Sequence, residues 1–198
     1  MSARAPGFPG EYLWEFDIAE RQLRALADAL PVERYDWRPA EKSRSVSEVL
    51  VHIAAGNLTL LGIVGVPAAP DLYGELEGEI VPRMLAMIAK NDGMEKDIRD
   101  KNAVIALLGR SLDAVRSEFS KASVTELERT DIFFGERTTV RRVYMRGLAH
   151  MHEHMGQLIA YIRVIGMAAP WTDWRESGRK IIERGQSAQD LETGRAKS

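Results

Sequence analysis

Val140-Arg-Arg-Val-Tyr-Met-Arg-Gly-Leu-Ala-His150-Met-His152-Glu-His154-Met-Gly-Gln-Leu-Ile-Ala-Tyr161-Ile-Arg-Val-Ile165 is the stretch on which the reading of this chain turns. Gly147, Met151, Met155, Leu158, Ile162 and Ile165 recur at spacings of three and four, so they share one side of an α-helix, which Gly166 and Pro170 close. Three of the chain's four histidines sit on this helix. At ~100° per residue, His150 and His154 lie ~40° apart on one face, and His152 points ~160° away from each of them. Two imidazoles one turn apart reach metal-binding separation without bending the backbone, so His150 and His154 form a candidate chelating pair that excludes His152. Both border the apolar face, where a neutral imidazole loses water and needs a partner.

Working outward, three more segments carry helical periodicity. Glu11 to Leu30 places Leu13, Phe16, Leu23, Leu26 and Leu30 on one side, after the breakers Pro9 and Gly10 and before Pro31. Ser45-Val-Ser-Glu48 is a capping box that opens a second helix running to about Val66, with Val49, Ile53, Leu60 and Val64 on its apolar side. His52, the fourth histidine, falls in the second turn of that helix among the apolar positions. Lys101 to Ala122 repeats Val104, Leu108, Leu112, Val115 and Phe119 and predicts a core helix. Asp131-Ile-Phe-Phe-Gly135 predicts a brief extended turn, with Gly135 supplying a positive φ.

The expected fold is therefore all-α, a four-helix bundle. Pro67 to Asp100 holds only a short helical candidate, Val81 to Lys90, and is too long for a hairpin turn; it predicts a crossover that lets helices two and three run parallel. Residues 1–170 are expected to form a single domain, and 171–198, opening on Trp171 and Trp174 before a polar run, a partly flexible C-terminal extension.

With 198 residues and 45% hydrophobic content the chain can bury one core. Lys+Arg 27 against Asp+Glu 29 gives a formal charge of -2, which argues against nucleic acid and against an anionic membrane surface. The absence of Cys leaves His, Asp and Glu to hold any metal. No signal-peptide core and no uninterrupted apolar run of ~20 residues stands in the sequence, so a soluble, cytoplasmic protein is expected.

A lone His on one helix and a two-His clamp on another make a three-nitrogen set, His52, His150 and His154, with a fourth position open to water or substrate. Supporting contacts are expected from Gln157 and Tyr161, beyond the clamp on the same side, and from Glu48, one turn before His52; a helix-cap role for Glu48, and packing roles for the other two, stand as alternatives. A di-iron site needs Glu-x-x-His motifs that the chain lacks, and a zinc protease needs Glu where Met151 stands.

Trp37-Arg-Pro39, Ser45-Val-Ser-Glu-Val-Leu-Val-His52 and His150-x-x-x-His154-Met-Gly-Gln-Leu-Ile-Ala-Tyr-Ile-Arg163, followed by Gly166 and Pro170, resemble the DinB/YfiT-like family over roughly residues 11–171. The chain departs from that family's pattern at Met155 and at Arg44-Ser45, where Trp-Ser commonly opens the second helix. The resemblance implies a four-helix bundle with a long second connection and a divalent metal, commonly zinc or nickel, on His52, His150 and His154. It also implies a homodimer and, for some relatives, a low-molecular-weight thiol as cosubstrate. Two functions follow as expectations: a metal-dependent enzyme, thiol transferase or hydrolase-like, that activates a thiol or water against a small-molecule substrate, or a non-catalytic interaction bundle with a structural or vacant metal site.

Overall fold

A computed structural model describes residues 7–76 and 78–171; the proposed extension beyond Trp171, with Trp174, lies outside the described residues. The chain forms α1 (Phe8–Ala29), α2 (Val46–Ile63), α3 (Pro70–Tyr73), α4 (Ile80–Asp97), α5 (Lys101–Lys121), α6 (Val124–Glu128), β1 (Thr130–Phe133), β2 (Glu136–Thr139) and α7 (Val140–Val164). The capping box at Ser45 is complete: Ser45 Oγ accepts from the Glu48 amide and the Glu48 carboxylate accepts from the Ser45 amide at 2.7 Å. Asp100, Ser123 and Thr139 cap α5, α6 and α7 in the same manner, each side-chain oxygen taking one amide that the first turn leaves unpaired. Helix α1 begins at Phe8, ahead of the expected breakers, because Pro9 in the first turn lacks only an N–H that has no partner there.

Side-chain pairs along the interfaces fix the directions of the helices. Arg24 meets Asp113 and Arg116 meets Glu20, so α1 and α5 are antiparallel. Phe8 lies under Arg141 and Tyr12 beside Tyr144, so α1 and α7 run the same way. His52 meets His150 while the Tyr161 hydroxyl reaches the Arg44 carbonyl, so α2 and α7 are antiparallel. It follows that α2 and α5 are parallel, and the long crossover between them is what topology demands. Helices α1 and α2 each pack against α5 and α7. An aromatic cluster of Phe8, Tyr12, Phe119 and Tyr144 closes one end, with Tyr12 and Phe119 stacked at 4.0 Å.

Two connections differ from expectation. The short candidate at Val81–Lys90 is a full helix, α4, which continues through Asn91-Asp92-Gly93 and packs antiparallel on α2. Those three residues favour a turn locally, but Asn91 accepts from the Tyr73 hydroxyl and donates to Thr59, so tertiary bonds hold the helix through them. The extended turn at Asp131–Gly135 is a two-stranded hairpin in register Thr130↔Thr139 to Phe133↔Glu136. Phe134 (φ 48) and Gly135 (φ 85) form its two-residue tip, both in the positive-φ region that a hairpin turn of this length requires.

By length and composition α2 is the one described helix that could cross a membrane, but 72% of it is buried inside the bundle. It is a core helix, walled by α4, α5 and α7. Leu50, fully buried on α2, contributes about 1.5–3 kcal/mol of apolar transfer. Leu50→Ala is expected to lower unfolding free energy by about 2–5 kcal/mol, read from the urea midpoint at unchanged slope.

Candidate metal centre

The three histidines meet where α2 faces α7. Ring centroids lie 4.9 Å apart for His52 and His150, 4.5 Å for His52 and His154, and 4.6 Å for His150 and His154. One nitrogen from each falls within 4.8 Å of the other two, so the group could hold a metal ion. His52 Nε2 and His150 Nε2 are 3.1 Å apart, close to the roughly 3.3 Å that tetrahedral zinc imposes on nitrogens about 2.0–2.1 Å from it. His152 is not part of the group.

Two hydrogen-bond chains decide which nitrogen of each ring faces inward. The first starts at the Arg44 carbonyl, which can only accept. The Tyr161 hydroxyl donates to it at 3.2 Å, so the phenol oxygen is left to accept from Gln157 Nε2 at 2.7 Å. That orientation turns Gln157 Oε1 toward His154 Nδ1, 2.9 Å away, which must therefore carry the proton. His154 Nε2 is left as a bare lone pair. The second chain starts at the Glu95 carboxylate, another pure acceptor, 2.6 Å from His52 Nδ1, and it leaves His52 Nε2 bare as well.

Glu95 comes from the far end of α4, is buried, and also takes Arg44 Nε at 2.6 Å. Burial pushes its carboxyl up, yet the hydrogen bonds from His52 and Arg44 and the neighbouring Arg44 charge outweigh that effect and hold it below the usual value. Glu48, expected to support His52, is elsewhere: its carboxylate is committed to the Ser45 amide and to Arg38 at 3.0 Å. The helix-cap alternative is therefore the one realised for Glu48, whereas Glu95 approaches His52 from a different helix. Gln157 and Tyr161 do stand in line behind His154. Glu95 escaped sequence reading since its helix is broken on paper by Asn91-Asp92-Gly93; the signal available was Glu95 lying in helical register after Asn91, Ile88 and Met84.

His150 is seated differently. A Cβ on Gly56 would lie 2.6 Å from His150 Cε1 and 3.0 Å from its Nδ1, so the imidazole rests on the bare backbone of α2. Its Nδ1 is the one buried side-chain nitrogen or oxygen without a hydrogen-bond partner among the described residues. Burial first, then the neighbouring histidines, lowers the His150 pKa to about 3, and burial likewise lowers that of His154. Neutral, inward-facing imidazoles crowded at this distance are a donor set that fits a divalent cation of borderline softness.

Two openings lie here, the first at the histidines and the second at the residues behind them. One is a cavity of about 270 Å³ lined by His52 and His150 together with apolar side chains. The other is a polar cleft of about 640 Å³ lined by Arg38, Lys42, Arg44, Lys96, Glu95 and Gln157 among others.

Two predictions follow from this geometry. Gly56→Ala raises the helix propensity of α2 by about 1 kcal/mol but pushes a methyl into the His150 ring, so bound metal is expected to drop while the melting temperature holds or rises; elemental analysis beside a thermal scan reads both. For the metal-free protein, His150 is depressed in the fold relative to its ordinary 6.5, so the unfolded chain takes up the proton first. Its stabilising contribution is complete above about pH 6.5 and declines as pH falls toward 3, so urea midpoints should fall across that window, with a shallower fall in His150→Asn.

The sequence profile of the DinB superfamily matches residues 15–158. Among curated proteins none matches. A crystal structure of a DinB-like protein from Bacillus cereus ATCC 10987 superposes with a TM-score of 0.59 at 16% identity, covering 80% of this chain and 93% of that one. A conserved protein from Enterococcus faecalis superposes with a TM-score of 0.61 at 16% identity, covering 82% of this chain and 100% of that one. At such identity the two structures speak for the fold alone, and the family follows from the profile: this chain belongs to the DinB superfamily.

Proposed function

We propose that His52, His150 and His154 bind one divalent cation, zinc or nickel, and that the protein is a metal-dependent enzyme acting on a small molecule through an activated thiol or water. The observation that carries this reading is the pair of hydrogen-bond chains that leave His52 Nε2 and His154 Nε2 as bare lone pairs beside His150. Metal-ligating histidines characteristically donate their outer ring N–H to acceptors of this kind, which leaves the inner nitrogen free to ligate.

Bound there, the cation supplies Lewis acidity, lowering the pKa of a thiol or water toward neutrality. The residues around it do the rest. Glu95 and Gln157 hold two rings in ligating orientation, and Arg44 neutralises the buried Glu95 charge. Three protein nitrogens leave a coordination position for a ligand. The polar cleft, lined by Glu41 and Asp92 as well as Lys42 and Lys96, suits a polar, charged cosubstrate such as a low-molecular-weight thiol.

Protein purified without an affinity tag is expected to carry close to one equivalent of metal by elemental analysis. His150→Ala or His154→Ala should lose most of it with the bundle still folded by circular dichroism, and His152→Ala should retain it. Equal metal in all three variants sinks the reading. Chelation then separates catalysis from scaffolding: loss of thiol-consuming turnover with little change in melting temperature supports an enzyme, whereas a large drop in melting temperature without any turnover supports a structural ion.

A further inference from the structure

The cavity beside His52 and His150 has a chemistry of its own. Leu60 and Ile63 of α2 and Ile88 of α4 line it, and the hairpin tip adds the rings of Phe133 and Phe134. The two rings stand edge to face, with centroids 4.6 Å apart. Phe134 is 64% exposed and held at φ 48, a conformation that costs a non-glycine residue about 1–2 kcal/mol and returns little packing here. An exposed aromatic in a disfavoured backbone state at the edge of a cavity is a wall awaiting a flat apolar partner.

The same cavity has one guanidinium. Arg146, one turn before His150 on α7, lines it and is held by Glu153 through Nη1 at 2.9 Å and Nη2 at 2.5 Å. Those two bonds use two of the five guanidinium N–H donors, so three are left for a second acceptor. Of the carboxylates lining the cavity, Glu95 is spent on His52 and Arg44, and Asp92 is solvent-exposed and screened. A volume of about 270 Å³ corresponds to about nine water molecules at their liquid share, just below the range of drug-sized pockets.

We propose that this cavity binds a small aromatic carboxylate, its ring between the aliphatic wall and Phe133 and Phe134, and its carboxylate on Arg146. As a substrate assignment it rests on the metal reading above, since it is His52 and His150 at the cavity that bring the ligand to the ion. As a binding site it stands on the cavity alone.

Benzoate is the probe, with benzyl alcohol as the uncharged analogue and cyclohexanecarboxylate as the non-aromatic one, each titrated by calorimetry into metal-loaded and chelator-treated protein. Benzoate is expected to bind both forms, more tightly than either analogue. Arg146→Gln should weaken benzoate about tenfold or more and leave benzyl alcohol unchanged, while Phe134→Ala weakens both. Glu153→Gln, which releases the guanidinium, should keep or tighten benzoate binding, a result that a merely structural Arg146–Glu153 pair would not produce. Equal benzoate affinity in wild type and Arg146→Gln overturns the anionic half of the proposal, and equal affinity for benzoate and cyclohexanecarboxylate overturns the aromatic half. If no variant holds metal yet Arg146-dependent benzoate binding persists, the metal reading has failed and the cavity assignment survives. If metal binds and benzoate does not, the reverse holds.

Discussion

Helices α2 and α7 lie so close that the His150 imidazole occupies the space a side chain at position 56 would need. A glycine inside a helix costs about 1 kcal/mol against alanine, and this contact is what the cost supports. The interface is tied at three levels. Leu60 sits over Gly147 at one end, His52 faces His150 in the middle, and the Tyr161 hydroxyl reaches the Arg44 carbonyl at the other. Were the helices one side-chain layer farther apart, the two hydrogen-bond chains would have nothing to aim at.

Arg44 joins both chains. Its guanidinium binds the carboxylate that holds His52, and its carbonyl receives the hydroxyl that, through Gln157, holds His154. A charged side chain and a backbone group from one residue thereby orient two ligands from different helices. A buried carboxylate such as Glu95 is costly to desolvate unless paired, and Arg44 with His52 provides that pairing.

How much was legible in the residues follows from what each signal depends on. Four of the five long helices among the described residues, the capping box at Ser45 and the parallel course of α2 and α5 depend on local periodicity, local capping and connection length, all of which sit in the sequence. So does the shared face of His150 and His154. Glu95 does not: its helix survives Asn91-Asp92-Gly93 through bonds to Tyr73 and Thr59 that no local pattern announces. Glu48 carried two readings, support for His52 by spacing or helix cap by motif, and the cap is the one realised, with the Ser45 amide and Arg38 holding its carboxylate. The hairpin shows a third case, in which a short apolar run was visible but its pairing with Glu136–Thr139 was a property of two strands together.

His52 and His150 are separated by 98 positions, and Glu95 reaches His52 across 43. No fragment of the chain that ends before α7 holds more than one of the three clustered histidines, because the first third carries His52 and α7 carries the other two. A polypeptide still being synthesised, with α7 inside the ribosome, thus has no chelating cluster to offer, although its N-terminal helices can already associate. On the proposed function, metal binding waits until α7 has packed against α2, so it distinguishes closed bundles from open ones.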